Sequence, residues 1–244
     1  MIRQEYNNIS SLYDILSEGD DGAIYFRMYV EKVLERLPTN AKILDCSCGT
    51  GDHAIWMARQ GYRVFASDIS EGMLNRGREK ARKENLDIHF FRSSWEELPE
   101  KTNEKYDLVV CPGNSLSHVN SLEMLGSTTK TIKSILKDGG QFFFDLRDWE
   151  KTFSEDNLFD QEFEVQSKTG LFDVMYSYEI HGWNMPCTMY VDTRPKGEED
   201  YTQYVFDFFP FGYQQIYDAM IEAGFKKIER DSFPDEDYYF VIAQ

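Results

Sequence analysis

The sequence is poor in the residues that build metal centres and disulfide frameworks. Its four cysteines (Cys46, Cys48, Cys111, Cys187) include no Cys-x-x-Cys pair, and its four histidines (His53, His89, His118, His181) form no ligand cluster, so no metal site is expected. The opening MIRQEYNNIS has no apolar segment of signal-peptide length, and no apolar run reaches about 18 residues. These absences point to a soluble chain with unpaired thiols in a reducing cytoplasm. Basic side chains are outnumbered, 26 against 43 acidic ones, for a net charge of −17. That balance argues against nucleic acid or a membrane surface as the main partner, because phosphate contacts need clustered cations. Aromatic residues make up 15 % of the 244 positions, which excludes a disordered chain. The length fits one large domain, or a core carrying an insertion.

What is present is a regular alternation. Residues 10–37 read as helical with a break at the polar turn Glu18–Gly22, and Pro38 ends the segment. Short apolar strands follow at 42–45, 63–68, 88–91, 106–110 and 141–145. The segments between them have helical spacing, the last from Leu122 to Leu136, ending at Asp138-Gly139-Gly140. Strands alternating with helices predict a doubly wound, mostly parallel α/β sheet, which binds its ligand at the carboxyl ends of the strands. From about Glu162 to Phe209 the period changes to two, as in Phe172, Val174, Tyr176, Tyr178 and Ile180, with turns at Lys168-Thr169-Gly170 and Thr193–Gly197. This predicts an antiparallel β insertion. The helical pattern returns at Tyr213–Ala223, is stopped by Gly224, and precedes strands at 225–230 and 238–243. The expected organisation is therefore N-terminal helices and an α/β core over 1–149, an antiparallel β cap over 150–209, and a last helix with two core strands over 210–244.

The residues after each strand carry the chemistry. Asp45-Cys46-Ser47-Cys48-Gly49-Thr50-Gly51 lies between the first strand and its helix, where glycine lets backbone approach a ligand and the helix start favours negative charge. It departs from G-x-G-x-x-G and has no P-loop lysine. Asp68 closes the second strand, placed to accept hydrogen bonds from both ribose hydroxyls. Ser94-Trp95 follow the third strand, and residues 111–118 follow the fourth. Each strand end offers a group suited to one part of an adenosine ligand.

ILDCSCGTGDHAIWMARQGYRVFASDIS resembles the glycine-rich and acidic motifs of class I S-adenosylmethionine-dependent methyltransferases, and more narrowly of the glycine/sarcosine N-methyltransferases. Three further matches carry the narrower likeness: Ser94-Trp95 for an Asn-Trp pair, Cys111-Pro112-Gly113-Asn114-Ser115-Leu116-Ser117-His118 for C-x-G-N-S-x-x-H, and Arg147 in FFFDLRDWE for a basic residue after the fifth strand. Ser94 replaces the family's Asn, and no N-terminal extension of the animal enzyme's length is present.

The resemblance implies a seven-stranded Rossmann-like sheet and methyl transfer from S-adenosylmethionine, leaving S-adenosylhomocysteine, to a small carboxylate-bearing amine. It implies that Asp45 holds the methionine ammonium and that Gly49, Gly51 and Cys46 border the methionyl part. Asp68 would hold the ribose, Ile69, Met73, Ser94 and Trp95 the adenine. Cys111 would line the channel to the acceptor, and Arg27 would meet the cofactor carboxylate. Asn114, Arg147 and His118 are the expected acceptor-side residues. Alternatives stay open: Arg147 can instead pair with Asp145, Asp148 or Glu150, and His118 reads equally as a structural histidine. Another small amine, hydroxyl or carboxylate acceptor, or a non-catalytic cofactor-binding protein, also fits. Monomer and homodimer are both compatible with the sequence.

Overall fold

The computed structural model describes residues 2–16, 21–154, 161–167, 170–232 and 237–244. In chain order the elements are α1 (Ile2–Leu16), α2 (Asp21–Leu34), β1 (Lys42–Asp45), α3 (Asp52–Arg59), β2 (Arg63–Asp68), α4 (Glu71–Lys83), β3 (His89–Arg92), the short α5 (Leu98–Lys101) and β4 (Tyr106–Cys111). After a 3₁₀ turn at Ser115–His118 come α6 (Leu122–Ile135), β5 (Leu136–Arg147), α7 (Trp149–Ser154), β6 (Gln161–Ser167), β7 (Gly170–Ile180), β8 (Cys187–Pro195), β9 (Thr202–Phe208), α8 (Tyr213–Glu222), β10 (Ile228–Ser232) and β11 (Tyr238–Ala243).

Seven strands form one sheet in the order β10-β11-β5-β4-β1-β2-β3. The pairs from β5 to β3 are parallel, whereas β11 runs antiparallel to both β5 and β10. Order reverses between β1 and β4, so a crevice opens beyond the carboxyl ends of these two strands. Adjacent residues point to opposite faces, and both faces are covered. Ile43, Val64, Leu108, Val110 and Phe143 pack under Phe26, Val30 and Val33 of α2 and Ala54 and Met57 of α3. Leu44, Val109, Phe142 and Phe144 pack under Leu125 and Ile132 of α6 and Ile216 and Met220 of α8. Burial on both faces is why the central strands read as unbroken apolar runs.

The 162–209 region is a separate four-stranded antiparallel sheet in the order β6-β7-β8-β9. Val174, Val191, Tyr204 and Phe206 of this cap sheet form a third core with Ile9 of α1 and Met73 of α4. The Lys168-Thr169 part of one expected turn, and Glu18–Asp20 of the first, lie outside the described residues.

Three boundaries differ from the sequence reading by more than two residues at an element's start. The first helix starts at Ile2 rather than near residue 10, and the penultimate strand begins at Ile228 rather than 225. β5 begins at Leu136, so Asp138-Gly139-Gly140 belongs to the strand rather than to the helix end. The register shifts between the Tyr106–Leu136 and Leu108–Gln141 pairs, a bulge that takes up the extra residues. Glycine is required there: a Cβ on Gly140 would sit 2.8 Å from the Tyr106 carbonyl oxygen.

Candidate functional site

The loop after β1 is built by hydrogen bonds from neighbouring strand ends. Cys46 N donates to the Val110 carbonyl and Cys48 N to the Ser67 carbonyl, so the loop is stitched to β4 and β2. Gly49 N donates to Asp68 Oδ2 at 2.8 Å, while Ser70 N donates to Oδ1 at 2.8 Å. Gly51 has φ +87°, and an added Cβ would meet the Phe90 ring at 3.2 Å and Gly77 Cα at 3.3 Å, so the loop lies tight against α4.

A cavity of about 200 Å³ opens on this loop. Its walls include Cys46, Ser47 and Gly49 of the loop, Asp68, Ile69 and Met73 after β2, Ser93 to Glu96 after β3, and Gly113, Ser115 and His118 after β4. Trp95 is fixed by its indole N–H, which donates to the Cys46 carbonyl at 3.0 Å. Of the residues expected from sequence, Cys46, Gly49, Asp68, Ile69, Met73, Ser94, Trp95 and His118 thus share one cavity.

Sequence reasoning missed Tyr6 and Tyr13, which bring α1 over the cavity, and Met124 at the start of α6. The two tyrosines lie seven residues apart, on one helical face, and that spacing was the available signal. α1 is docked by polar bonds. Asn7 Oδ1 accepts from Ser70 Oγ at 2.7 Å and Gly72 N at 2.9 Å, and Asp14 accepts from Thr50 Oγ1 and Lys80 Nζ at 2.5 and 2.9 Å. Tyr6 Oη lies 2.7 Å from His118 Nε2, and His118 Nδ1 lies 2.8 Å from the Asp207 carbonyl of β9.

Other expected residues stand outside the cavity wall. Asp45 is fully buried beneath the loop; Oδ1 accepts from Ser47 N, and Oδ2 has no partner among the described residues. Burial pushes its carboxyl up to about 8, with the Ser47 hydrogen bond opposing and the Asp68 charge adding to the shift. Cys111 is buried under Ser47, whose hydroxyl donates to its sulfur at 3.3 Å. Burial likewise pushes the Cys46 and Cys48 thiols up, which leaves them neutral and poor nucleophiles. Arg27 is not placed at the cavity. It lies on α2 with its guanidinium 5.9 Å from the Trp56 ring centroid.

Asn114 and Arg147 are brought together beside the cavity by a buried network. Gly113 and Asn114 both have positive φ, +73° and +56°, and their N–H groups donate to the two oxygens of Asp145 at 2.8 and 2.9 Å. Asn114 Oδ1 accepts twice, from Arg147 N at 3.0 Å and from Ser117 Oγ at 2.6 Å. This fixes the amide orientation and leaves Nδ2 as a donor. The Arg147 guanidinium donates to Tyr238 Oη at 3.0 Å and lies over the Tyr238 and Trp149 rings. Among the described residues Asp148 pairs instead with Arg230, and Glu150 accepts from Tyr213 N. Burial works against the Arg147 charge, but the Tyr238 and Tyr178 phenols and Asp237 outweigh that penalty and hold its pKa above the ordinary value.

Comparison with known proteins decides the class. Residues 43–140 match the family model of a methyltransferase domain. This match and the likenesses below support an S-adenosylmethionine-dependent methyltransferase with the class I fold. Over 215 residues the methyltransferase is 27 % identical to a glycine/sarcosine N-methyltransferase of Aphanothece halophytica, covering 83 % of this chain and 76 % of that one. Its fold matches an S-adenosylmethionine-dependent methyltransferase from Clostridium acetobutylicum with a TM-score of 0.79 at 20 % identity, over 98 % of both chains. It also matches an amino pentose methyltransferase from Micromonospora echinaspora, solved with S-adenosylmethionine bound, with a TM-score of 0.75 at 14 % identity, over 96 % of this chain and 94 % of that one.

The donor set fits this cofactor. A partly apolar cavity ends on a strand-end carboxylate and a glycine turn, and beneath that turn the buried Asp45 Oδ2 has no partner among the described residues. No group of three or more potential metal ligands occurs among the described residues. No helix of the described residues is long and apolar enough to cross a membrane.

Proposed function

We propose that this methyltransferase acts on the amine of a small carboxylate-bearing acceptor such as glycine or sarcosine. The observation that carries this reading is the pairing of two donor groups beside the cavity: the Asn114 Nδ2 amide and the Arg147 guanidinium, which keeps its charge and gives one N–H to Tyr238. Together they suit a carboxylate, which a planar guanidinium grips through two oxygens. The name of the Aphanothece relative points the same way.

In this reading Asp68 accepts from the ribose hydroxyls, and Ile69, Met73, Ser94 and Trp95 border the adenine. Cys46, Gly49 and Gly51 shape the methionyl end, and Asp45 holds the ammonium. Asn114 and Arg147 then orient the acceptor so that its neutral amine faces the donor. S-adenosylmethionine, when bound, supplies an electrophilic methyl group on a sulfonium. The chain's own work is alignment and exclusion of water, which can lower such a barrier by several kcal/mol. The neutral thiols and the single cavity histidine give no nucleophile for a covalent intermediate, and a neutral amine needs no strong base.

The test uses labelled S-adenosylmethionine against glycine, sarcosine, dimethylglycine, an amino sugar and a simple phenol. Transfer to the amino acids is expected. Transfer to the amino sugar with none to amino acids would refute the carboxylate reading.

A further inference from the structure

Tyr6, His118 and Asp207 connect three elements: α1, the 3₁₀ turn after β4, and the cap strand β9. Tyr6 and His118 both line the cofactor cavity. His118 is stacked on Phe208 at 4.5 Å and meets the Tyr6 ring edge-on at 5.5 Å, so its plane is fixed. A main-chain carbonyl only accepts, so the hydrogen must sit on Nδ1, which faces the Asp207 oxygen at 2.8 Å. In the neutral ring Nε2 is then an acceptor, and the hydroxyl 2.7 Å away must donate to it.

We infer that His118 is a positioning residue: with its tautomer set by the cap strand, it consumes the Tyr6 proton and turns the lone pairs of that phenol oxygen toward the cavity. A cationic centre bound there meets an acceptor rather than a hydroxyl proton. S-adenosylmethionine and S-adenosylhomocysteine carry the same ammonium and differ by the methyl group and the sulfonium charge. The arrangement therefore favours the substrate form of the cofactor over the product form, and it depends on the cap being in place.

Burial holds the His118 pKa below its ordinary 6.5, against the raising effect of the Asp207 carbonyl and carboxylate. The ring is thus neutral at neutral pH. The titratable groups facing it are Tyr6 from α1 and the Asp207 carboxylate from β9, the latter accepting from Thr188 Oγ1 at 3.1 Å. Asp68 and Tyr13 act on Tyr6 in turn, and with burial they keep the phenol protonated. When His118 gains a proton in acid, Nε2 becomes a donor, and the Tyr6 hydrogen must swing into the cavity.

Calorimetric dissociation constants for the two cofactor forms test this without any methyl acceptor, so the outcome is separate from the choice of acceptor above. The parent, His118→Gln, Tyr6→Phe and the double variant are compared, with folding checked by circular dichroism. Each single substitution is expected to shift the ratio of the two constants about tenfold against S-adenosylmethionine, as loss of one hydrogen bond to a charged group would. The double variant should match Tyr6→Phe alone. The parent's ratio should shift the same way on acidification through the His118 titration, over and above any shift in Tyr6→Phe. That pH comparison decides the matter even if His118→Gln does not fold. An unchanged ratio in Tyr6→Phe, multiplicative effects in the double variant, or the same acid response in parent and Tyr6→Phe would overturn the inference.

Discussion

Asp45 and Asp68 show how two carboxylates at neighbouring strand ends are held differently: burial pushes both pKa values up, and backbone hydrogen bonds oppose it more fully at Asp68. Asp68 accepts two backbone N–H bonds, whereas Asp45 has one weak bond at 3.3 Å and an unpartnered oxygen. The folded value for Asp45, about 8, lies above its ordinary 3.8, so the folded chain holds a proton that the unfolded chain has lost. Stability from this residue is therefore lost as pH rises from about 4 to about 8. Asp45→Asn should flatten that fall and raise the stability of the ligand-free protein at pH 8 by about 2 kcal/mol in urea titrations. Cofactor binding near neutral pH should release a proton, read as a dependence of calorimetric heat on buffer ionisation, and Asp45→Asn should remove it. Asp68→Ala should weaken both cofactor forms by about 1.5–3 kcal/mol; unchanged affinity would remove Asp68 from the ribose role. Arg147→Lys keeps the charge but loses the fork. It should lower turnover and raise the acceptor KM while S-adenosylhomocysteine affinity holds. Loss of cofactor binding instead would mark Arg147 as structural.

At the scale of elements, α1 is the part that sequence concealed. Asp68, Ser94 and Trp95 were legible because each follows an apolar strand whose end is set by the chain itself. Tyr6 and Tyr13 were harder to place: their spacing marks one helical face, but what turns that face to the cavity includes bonds to Ser70, Gly72, Thr50 and Lys80, residues 36 to 66 positions away. Arg27 is the converse case: its place on a helix near β1 was legible, but the helix turns it toward Trp56 and away from the cavity wall. The bulge in β5 was hidden because a Gly-Gly pair serves a helix end and a bulge equally well. If α1 closes the cavity, Asn7→Ala should loosen it. About a tenfold faster release of S-adenosylhomocysteine is expected in stopped-flow displacement, since two hydrogen bonds lose their acceptor. An unchanged release rate would mean that the helix stays closed without them.

Across the whole molecule the charge of −17 is carried with few cations to offset it. Many ion pairs are exposed, as in Arg59–Glu84 and Lys83–Glu79, and such pairs contribute little. Self-repulsion is the larger effect, and salt screens it within about 10 Å at 0.1 M. Raising sodium chloride from about 10 mM to about 300 mM should therefore raise the melting temperature by a few degrees. A fall would mean that the ion pairs outweigh the repulsion.

The placement of β11 bears on how the chain is made. Tyr238–Ala243 lies between β5 and β10, pairing residue by residue with Phe142–Arg147 on one side and Ile228–Ser232 on the other. A ribosome delivers those residues after all the rest of the described strands. Until they emerge, β5 is an open edge carrying Phe142, Phe143 and Phe144, all buried in the finished sheet. Synthesis at about 5–20 residues per second leaves nearly 100 residues, or several seconds, between the two strands. For that interval the nascent sheet is sticky on one side, and the cell must shield it or tolerate its aggregation.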